Sequence, residues 1–314
     1  MVRDQVQGTE GRFGPGAELA EPTAWAHEGH LVAWEQGRLS TEADRLPEPA
    51  EPQAIDIRGA NGQPPELVGM QVENIRLDVW RAVTDNDQLG SDRVADGWRK
   101  RGLHRVQHRI MDVSGGLTTV RTAAPDKQWG LLSTWSWTPY DDGSVGLELL
   151  IRPDGTGQPK TLPRLGISFE LPRIETVTWY GRGPGEAYPD SQAAAVVGRW
   201  TRTVEKLQTP YVRPQENGHR MDTRWAEMVS ADGTGLRIES APSLFGLTVR
   251  RWSTQAIDQA QHHTDLVAGD TTYVTVDIAQ AGVNWTGPML PERYQVRPGK
   301  AALSLRFRSC RRTA

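Results

Sequence analysis

The residues that could do chemistry in this chain are few, and most of them carry a structural reading as well. His262 and His263 are adjacent. Neighbours on an extended strand point to opposite faces, so the pair cannot easily hold one ion, and a zinc site needs further convergent ligands. No metal site is expected. The triplet Asp85-Asn86-Asp87 could bond sugar hydroxyls, but acids and amides also close turns by accepting backbone N–H groups, the favoured role here. His104, His108 and His219 are imidazoles of the kind a general acid–base enzyme uses. The basic run Arg99-Lys100-Arg101-Gly102-Leu103-His104-Arg105 lacks interleaved aromatics, which favours a solvated face over contact with nucleic acid. The 12 Trp stand against 4 Phe and 6 Tyr. Indole joins a broad apolar face to one N–H donor, which suits the C–H faces and hydroxyl edges of sugars as well as the core of a β-rich protein.

A formal net charge of −3 gives no global field to draw polyanions or anionic lipid. Cys310 is the sole cysteine, which excludes an internal disulfide framework and a cysteine-based zinc site and fits a reducing compartment. The opening MVRDQVQGTEGRFGPG lacks the basic start and apolar run of a signal peptide, and no stretch approaches the ~18 apolar residues of a membrane span. A soluble, cytoplasmic protein is expected, with no nucleic-acid or membrane partner.

The elements that must position these residues read as strands. Period-two alternation marks 30–34, 145–151, 235–239, 247–252, 273–277 and 302–307, with turn signals at Asp141-Asp142-Gly143, Asp154-Gly155, Asp232-Gly233 and Pro298-Gly299. Helices are expected only at 91–101, capped by Ser91, and around Ala193-Ala194-Ala195. The Pro-rich, acidic stretch 42–66 reads as a linker. There is no βα alternation and no repeat, so the plan is all-β and antiparallel.

The block Trp179-Tyr180-Gly181-Arg182-Gly183-Pro184-Gly185-Glu186-Ala187-Tyr188-Pro189-Asp190 resembles the signature of the last domain, or small chain, of glycoside hydrolase family 2 β-galactosidases. Trp80–Asp87, Thr209–Gly218, Thr223-Arg224-Trp225 and His262–Leu266 follow in the family's order, so the resemblance spans about 70–308. Thr23–Gln36 looks like the closing strands of the immunoglobulin-like domain that precedes it. Three positions depart from the family: Asp190-Ser191 replaces an acid–arginine pair, Val83 replaces a Pro, and Gln280–Trp285 is shorter than the usual Gly-Gly-Asp-Asp loop.

The resemblance implies a galactose-mutarotase-like supersandwich over 70–310, a linker at 46–69 and a partial immunoglobulin-like β segment over 1–45. A retaining glycosidase places two carboxyls about 5–5.5 Å apart. In the family both are glutamates on a (β/α)₈ barrel, so no catalytic residue is expected here and the isolated chain should not hydrolyse glycosides. Mg and Na belong to that barrel, and this chain is expected to bind no cofactor. What remains is a wall of the galactoside pocket: Trp285 with Asn284 against the sugar, and a lid loop of Asp87, Gln88, Gly90 and Ser91. Arg81, Asp85, Asn86, Arg182, Glu186, Glu216 and Arg224 are expected to be structural, with Arg224 paired to Glu216. The implied partner is the catalytic large chain or the rest of the same enzyme. The competing reading is a stand-alone mutarotase-like sugar-binding protein or aldose epimerase, and a truncated product without activity is a third.

Overall fold

The computed structural model describes residues 12–13, 16–38, 51–90, 93–240, 243–283 and 290–311. The chain divides into two compact units, Met1–Glu48 and Pro49–Ala314. The first holds β1 (Arg12–Phe13), β2 (Gly16–Glu18), β3 (Leu31–Trp34) and β4 (Gly37–Arg38), paired β1 with β4 and β2 with β3. Every residue of β3 is exposed, Leu31, Val32 and Trp34 included. Two-stranded pairs have no second layer to bury such side chains against.

The second unit opens with a hairpin, β5 (Glu66–Leu67) and β6 (Met70–Gln71), and continues through β7 (Glu73–Asp78), β8 (Gln107–Ser114), β9 (Leu117–Ala123), β10 (Trp129–Pro139), β11 (Val145–Gly155) and β12 (Arg164–Pro172). Then come β13 (Thr176–Gly183), β14 (Val196–Thr203), β15 (Arg220–Thr223), β16 (Trp225–Val229), β17 (Thr234–Glu239), β18 (Phe245–Arg250), β19 (Thr271–Gln280) and β20 (Ala301–Arg311). They form a nine-stranded sheet in the order β14-β13-β16-β17-β20-β11-β10-β9-β8 and a five-stranded sheet in the order β15-β18-β19-β12-β7. Alternate side chains meet in one core: Trp135, Leu147, Leu149, Ile238 and Leu305 from the larger sheet, Leu77, Ile167, Phe169, Leu247 and Val276 from the smaller. This is the all-β sandwich that the alternation predicts.

Two expectations are corrected. The alanines at 193–195 precede β14 instead of forming a helix; Val196 to Thr203 pairs with β13, where β-branched residues and Trp200 against Trp179 outweigh alanine's helix propensity. The helix at 91–101 is shorter than expected: α1 (Val94–Lys100) starts after Arg93, which makes no side-chain cap, and Ser91 lies outside the described residues. The second helix, α2 (Thr254–Gln259), has its Ser253 side chain accepting from Ala256 N–H.

The stretch from Glu51, read as linker, is bound to the large sheet. Gln53 N–H donates to Pro139 O at 2.9 Å, Arg58 to Leu117 O at 2.8 Å, and buried Gln63 accepts Trp137 Nε1–H at 3.0 Å. The second unit accordingly begins before residue 70. Pro and acidic composition resembled a linker because none of these contacts is local in sequence.

Candidate functional site

Strand β7 ends at Asp78, whose carboxylate accepts the Trp80 N–H at 3.0 Å and turns the chain into the 80–90 loop. Arg81 is fully buried there. It donates to both oxygens of Asp87, at 2.9 and 3.0 Å, and to the carbonyls of Ala281 and Gly282, each at 3.0 Å. Asp87 also accepts the Thr84 N–H at 2.8 Å, and Thr84 Oγ1 accepts the Asp87 N–H at 3.2 Å. Burial pushes the Asp87 carboxyl above the usual range although Arg81 opposes it. Desolvation therefore offsets much of the ion pair's attraction, and its main effect is to fix position.

Arg81 thus ties the 80–90 loop to the segment that precedes Asn284 and Trp285 in sequence. Asn86 adds a bond to Val283 O at 3.3 Å, and Asp190 accepts the Val283 N–H at 2.9 Å. A side chain at Gly282 would begin 2.5–2.6 Å from the Asp190 carboxyl, so glycine is required for this approach. Asp85 exchanges hydrogen bonds with Gln215. Trp80 and Trp98 support the loop from below, with Arg99 over Trp80 at 5.2 Å and Arg81 over Trp98 at 5.5 Å. Gln88 donates to Thr84 O, while Leu89 and Gly90 are exposed, Gly90 with φ of 82°. Asn284, Trp285 and Ser91 lie outside the described residues.

Arg182 and Glu186 hold separate parts of the Gly-Pro turn: Arg182 reaches Asp222 at 2.6 Å and Ala195 O, and Glu186 accepts from Gly218 N–H at 2.8 Å and Tyr211 OH at 3.0 Å. In place of the expected Arg224–Glu216 pair, Glu216 receives Arg250 at 2.8 Å and Arg164 at 3.5 Å, while Arg224 lies over the Tyr180 ring at 5.6 Å. Glu216 is instead held by the buried guanidinium groups of Arg164 on β12 and Arg250 on β18.

That network is what sequence reasoning missed. Arg164 on β12 is fully buried and donates to Gln280 at 3.0 Å, with Asp277 at 3.3 Å and Asp78 at 3.8 Å. Burial would raise the Glu216 carboxyl, but Arg250 and Arg164 bring it down to about 2. Burial pushes Asp277 up to about 7 against the pull of Arg164, and pushes His219, 3.5 Å from it, down to about 3. The available signals were charges at Arg250 and Asp277 inside apolar strands. Among the described residues no group of three His, Cys, Asp or Glu could hold a metal. The three candidate histidines sit on different elements: His104 after α1, His108 on β8, and His219 before β15.

A family profile described as the beta galactosidase small chain matches residues 55–308. This chain belongs to the β-galactosidase small-chain family. The β-galactosidase of Arthrobacter sp. (strain B7) is 32% identical over 332 residues, covering 93% of this chain and 32% of that protein. That of Vibrio cholerae is 30% identical, covering 88% and 30%. The chain therefore spans about a third of the length of the curated relatives it matches. Among solved structures, a GalM/aldose epimerase homologue from C. elegans matches with a TM-score of 0.37 and 11% identity over 66% of this chain and 69% of that one, a likeness too distant to decide activity. Within the small-chain family match fall both the 80–90 loop and the Arg164 network. Among the described residues, no helix is long and apolar enough to cross a membrane.

Proposed function

We propose that this chain is the small-chain module of a β-galactosidase and supplies a wall of the site that hydrolyses terminal β-D-galactosides, the catalytic carboxylates coming from the large, catalytic part of the enzyme. The observation that carries the reading is the Arg81 junction. One buried guanidinium fastens the 80–90 loop to the 281–283 segment, so two loops far apart in sequence act as a single surface. A surface that positions substrate must hold its geometry when the substrate arrives, and bidentate pairing supplies that rigidity. Asn284 and Trp285 follow this junction directly in sequence, as the sugar-facing residues, and half-buried Gln88 and exposed Gly90 form the rim that moves over bound substrate. Mg and Na, where the enzyme uses them, belong with the catalytic carboxylates, and the lone Cys310 suits a cytoplasmic setting.

Catalysis by this module alone is not part of the proposal. Its contribution is binding and orientation, and a platform indole gives binding shared by ground and transition states. In the assembled enzyme, Trp285→Ala is expected to raise KM for a nitrophenyl galactoside with little change in kcat. A fall in kcat at unchanged KM, or a large loss of melting temperature with no kinetic effect, would contradict the platform.

A further inference from the structure

Strand β8 is the last strand of the nine-stranded sheet and pairs only with β9; among the described residues no backbone hydrogen bond runs along its other side. All eight of its residues are exposed, the apolar Ile110, Met111 and Val113 included. A bare edge of this kind is a template for another strand, and natural edges are usually blunted by Lys or Pro, neither of which occurs in Gln107–Ser114. The bareness follows from sheet size. The large sheet has nine strands against five, and the segment 51–67 covers β9 and β10, bonding to Leu117 O, Thr118 and Trp137, with no bond to β8 among the described residues.

Register shows which face each β8 side chain takes. Arg109 is opposite Arg121, Ile110 opposite Val120, Asp112 opposite Thr119 and Val113 opposite Thr118, so Met111 is an extra residue, a β-bulge. Val120 and Thr118 are buried on the inner face, and Arg121 and Thr119 are half-buried on the outer one. Arg109 and Asp112 therefore share the outer face, although residues three apart on a regular strand point to opposite faces.

Neither charge is matched within the chain. Arg109 has a second guanidinium, Arg121, directly across from it, and Arg121 is already held by Asp154 at 2.6 Å. Asp112 accepts from Ser114 Oγ at 2.5 Å, and among the described residues neither Arg109 nor Asp112 makes an ion pair. A two-fold axis perpendicular to the sheet, through the bulge, reverses the strand direction and keeps the outer face outer. It sets Arg109 of each copy against Asp112 of the other and brings the exposed Ile110 and Met111 of one copy to those of the other. Opposite charges directly across an antiparallel pair stabilise it, and like charges there destabilise it. Moving the axis by one position either way would oppose Arg109 to Arg109 or Asp112 to Asp112, so charge selects this register.

We propose that β8 is the contact strand of a two-fold dimer of this chain, in which Arg109 pairs with Asp112 of the second copy and the two nine-stranded sheets join into one. Such an interface is isologous and closes on itself, since pairing uses up this edge on both copies. The proposal does not rest on the active-site wall.

Sedimentation equilibrium of the 314-residue chain over a wide range of concentration, beside hydrogen exchange, tests it. A reversible monomer–dimer equilibrium is expected, with β8 amides gaining protection as the dimer is populated. Arg109→Asp and Asp112→Arg each place like charges across the axis and should each weaken self-association at least about tenfold, a change of about 1.4 kcal/mol. Mixing the two single variants should restore dimers of one variant with the other, because both pairs across the axis are again opposite in sign, and the double variant should pair with itself. Should one single variant not fold, the other and the double variant still decide. A chain that stays monomeric at every concentration, a dimer whose β8 amides exchange as in the monomer, or single variants that associate as the parent does would overturn the proposal. So would a β8 edge protected only by the catalytic remainder of a β-galactosidase.

Discussion

Arg81→Met is the perturbation that the junction makes most informative. The side chain is fully buried and makes four hydrogen bonds, two to Asp87 and two to the carbonyls of Ala281 and Gly282. Methionine fills similar space without donors. Asp87, 2% exposed, then keeps only the Thr84 backbone as a nearby donor among these contacts, and two carbonyls lose theirs. Breaking one side of a buried pair costs about 3–5 kcal/mol, because the other charge stays buried. Asp87→Asn in the same background removes that charge, so the double variant should recover about 1–3 kcal/mol of the sum of the two single losses. Urea unfolding followed by tryptophan fluorescence measures both. For a domain of this size the single variant should melt roughly 6–20 °C lower, at about 2–4 °C per kcal/mol. A loss under about 1 kcal/mol, or losses that add within about 0.5 kcal/mol, would refute the claim that this pair holds the two loops together.

Gly282→Ala places a methyl against the Asp190 carboxyl and should cost about 1–3 kcal/mol, partly recovered by Asp190→Ala; equal losses in both backgrounds would show that the two do not meet. Stability should also depend on pH through the Arg164 network. Asp277 is raised from 3.8 to about 7, so its contribution is full at low pH and is lost as pH rises through about 7. His219 is lowered from 6.5 to about 3 and Glu216 from 4.5 to about 2, so their contributions are full above those ordinary values and are lost as pH falls. Asp277→Asn should therefore gain on the parent chain steadily between about pH 4 and pH 7 in urea midpoints. A constant difference across that range would contradict a raised acid.

The strands were legible because alternation is a local property. Val145–Ile151 and Ala302–Phe307 read as half-buried strands and pair with each other in the large sheet. The turn at Asp142-Gly143 was equally plain, with Gly143 at φ of 75°. Ala193–Ala195 misled, since helix propensity is weak beside a neighbouring strand. Arg81 and Asp87 stood out only as members of the Trp80–Asp87 block, Arg81 as a structural residue and Asp87 as part of a lid; their pairing and the reach of Arg81 to Ala281 and Gly282 were not legible. Nothing local ties Arg164 to Asp277 or Glu216; their meeting follows from the order of β12, β18 and β19 in the small sheet. The role of 51–67 was hidden for the same reason, as each anchor lies on a distant strand.

The most direct measurement mixes this chain, purified alone, with the catalytic remainder of a β-galactosidase to which its sequence is matched, and follows hydrolysis of a nitrophenyl galactoside. The account predicts no turnover by the chain, little by the remainder, and activity in the mixture that saturates at one chain per catalytic chain and weakens with Arg81→Met. Turnover by the purified chain alone, or a mixture that binds tightly yet gains no activity, would contradict the claim that this module completes the site.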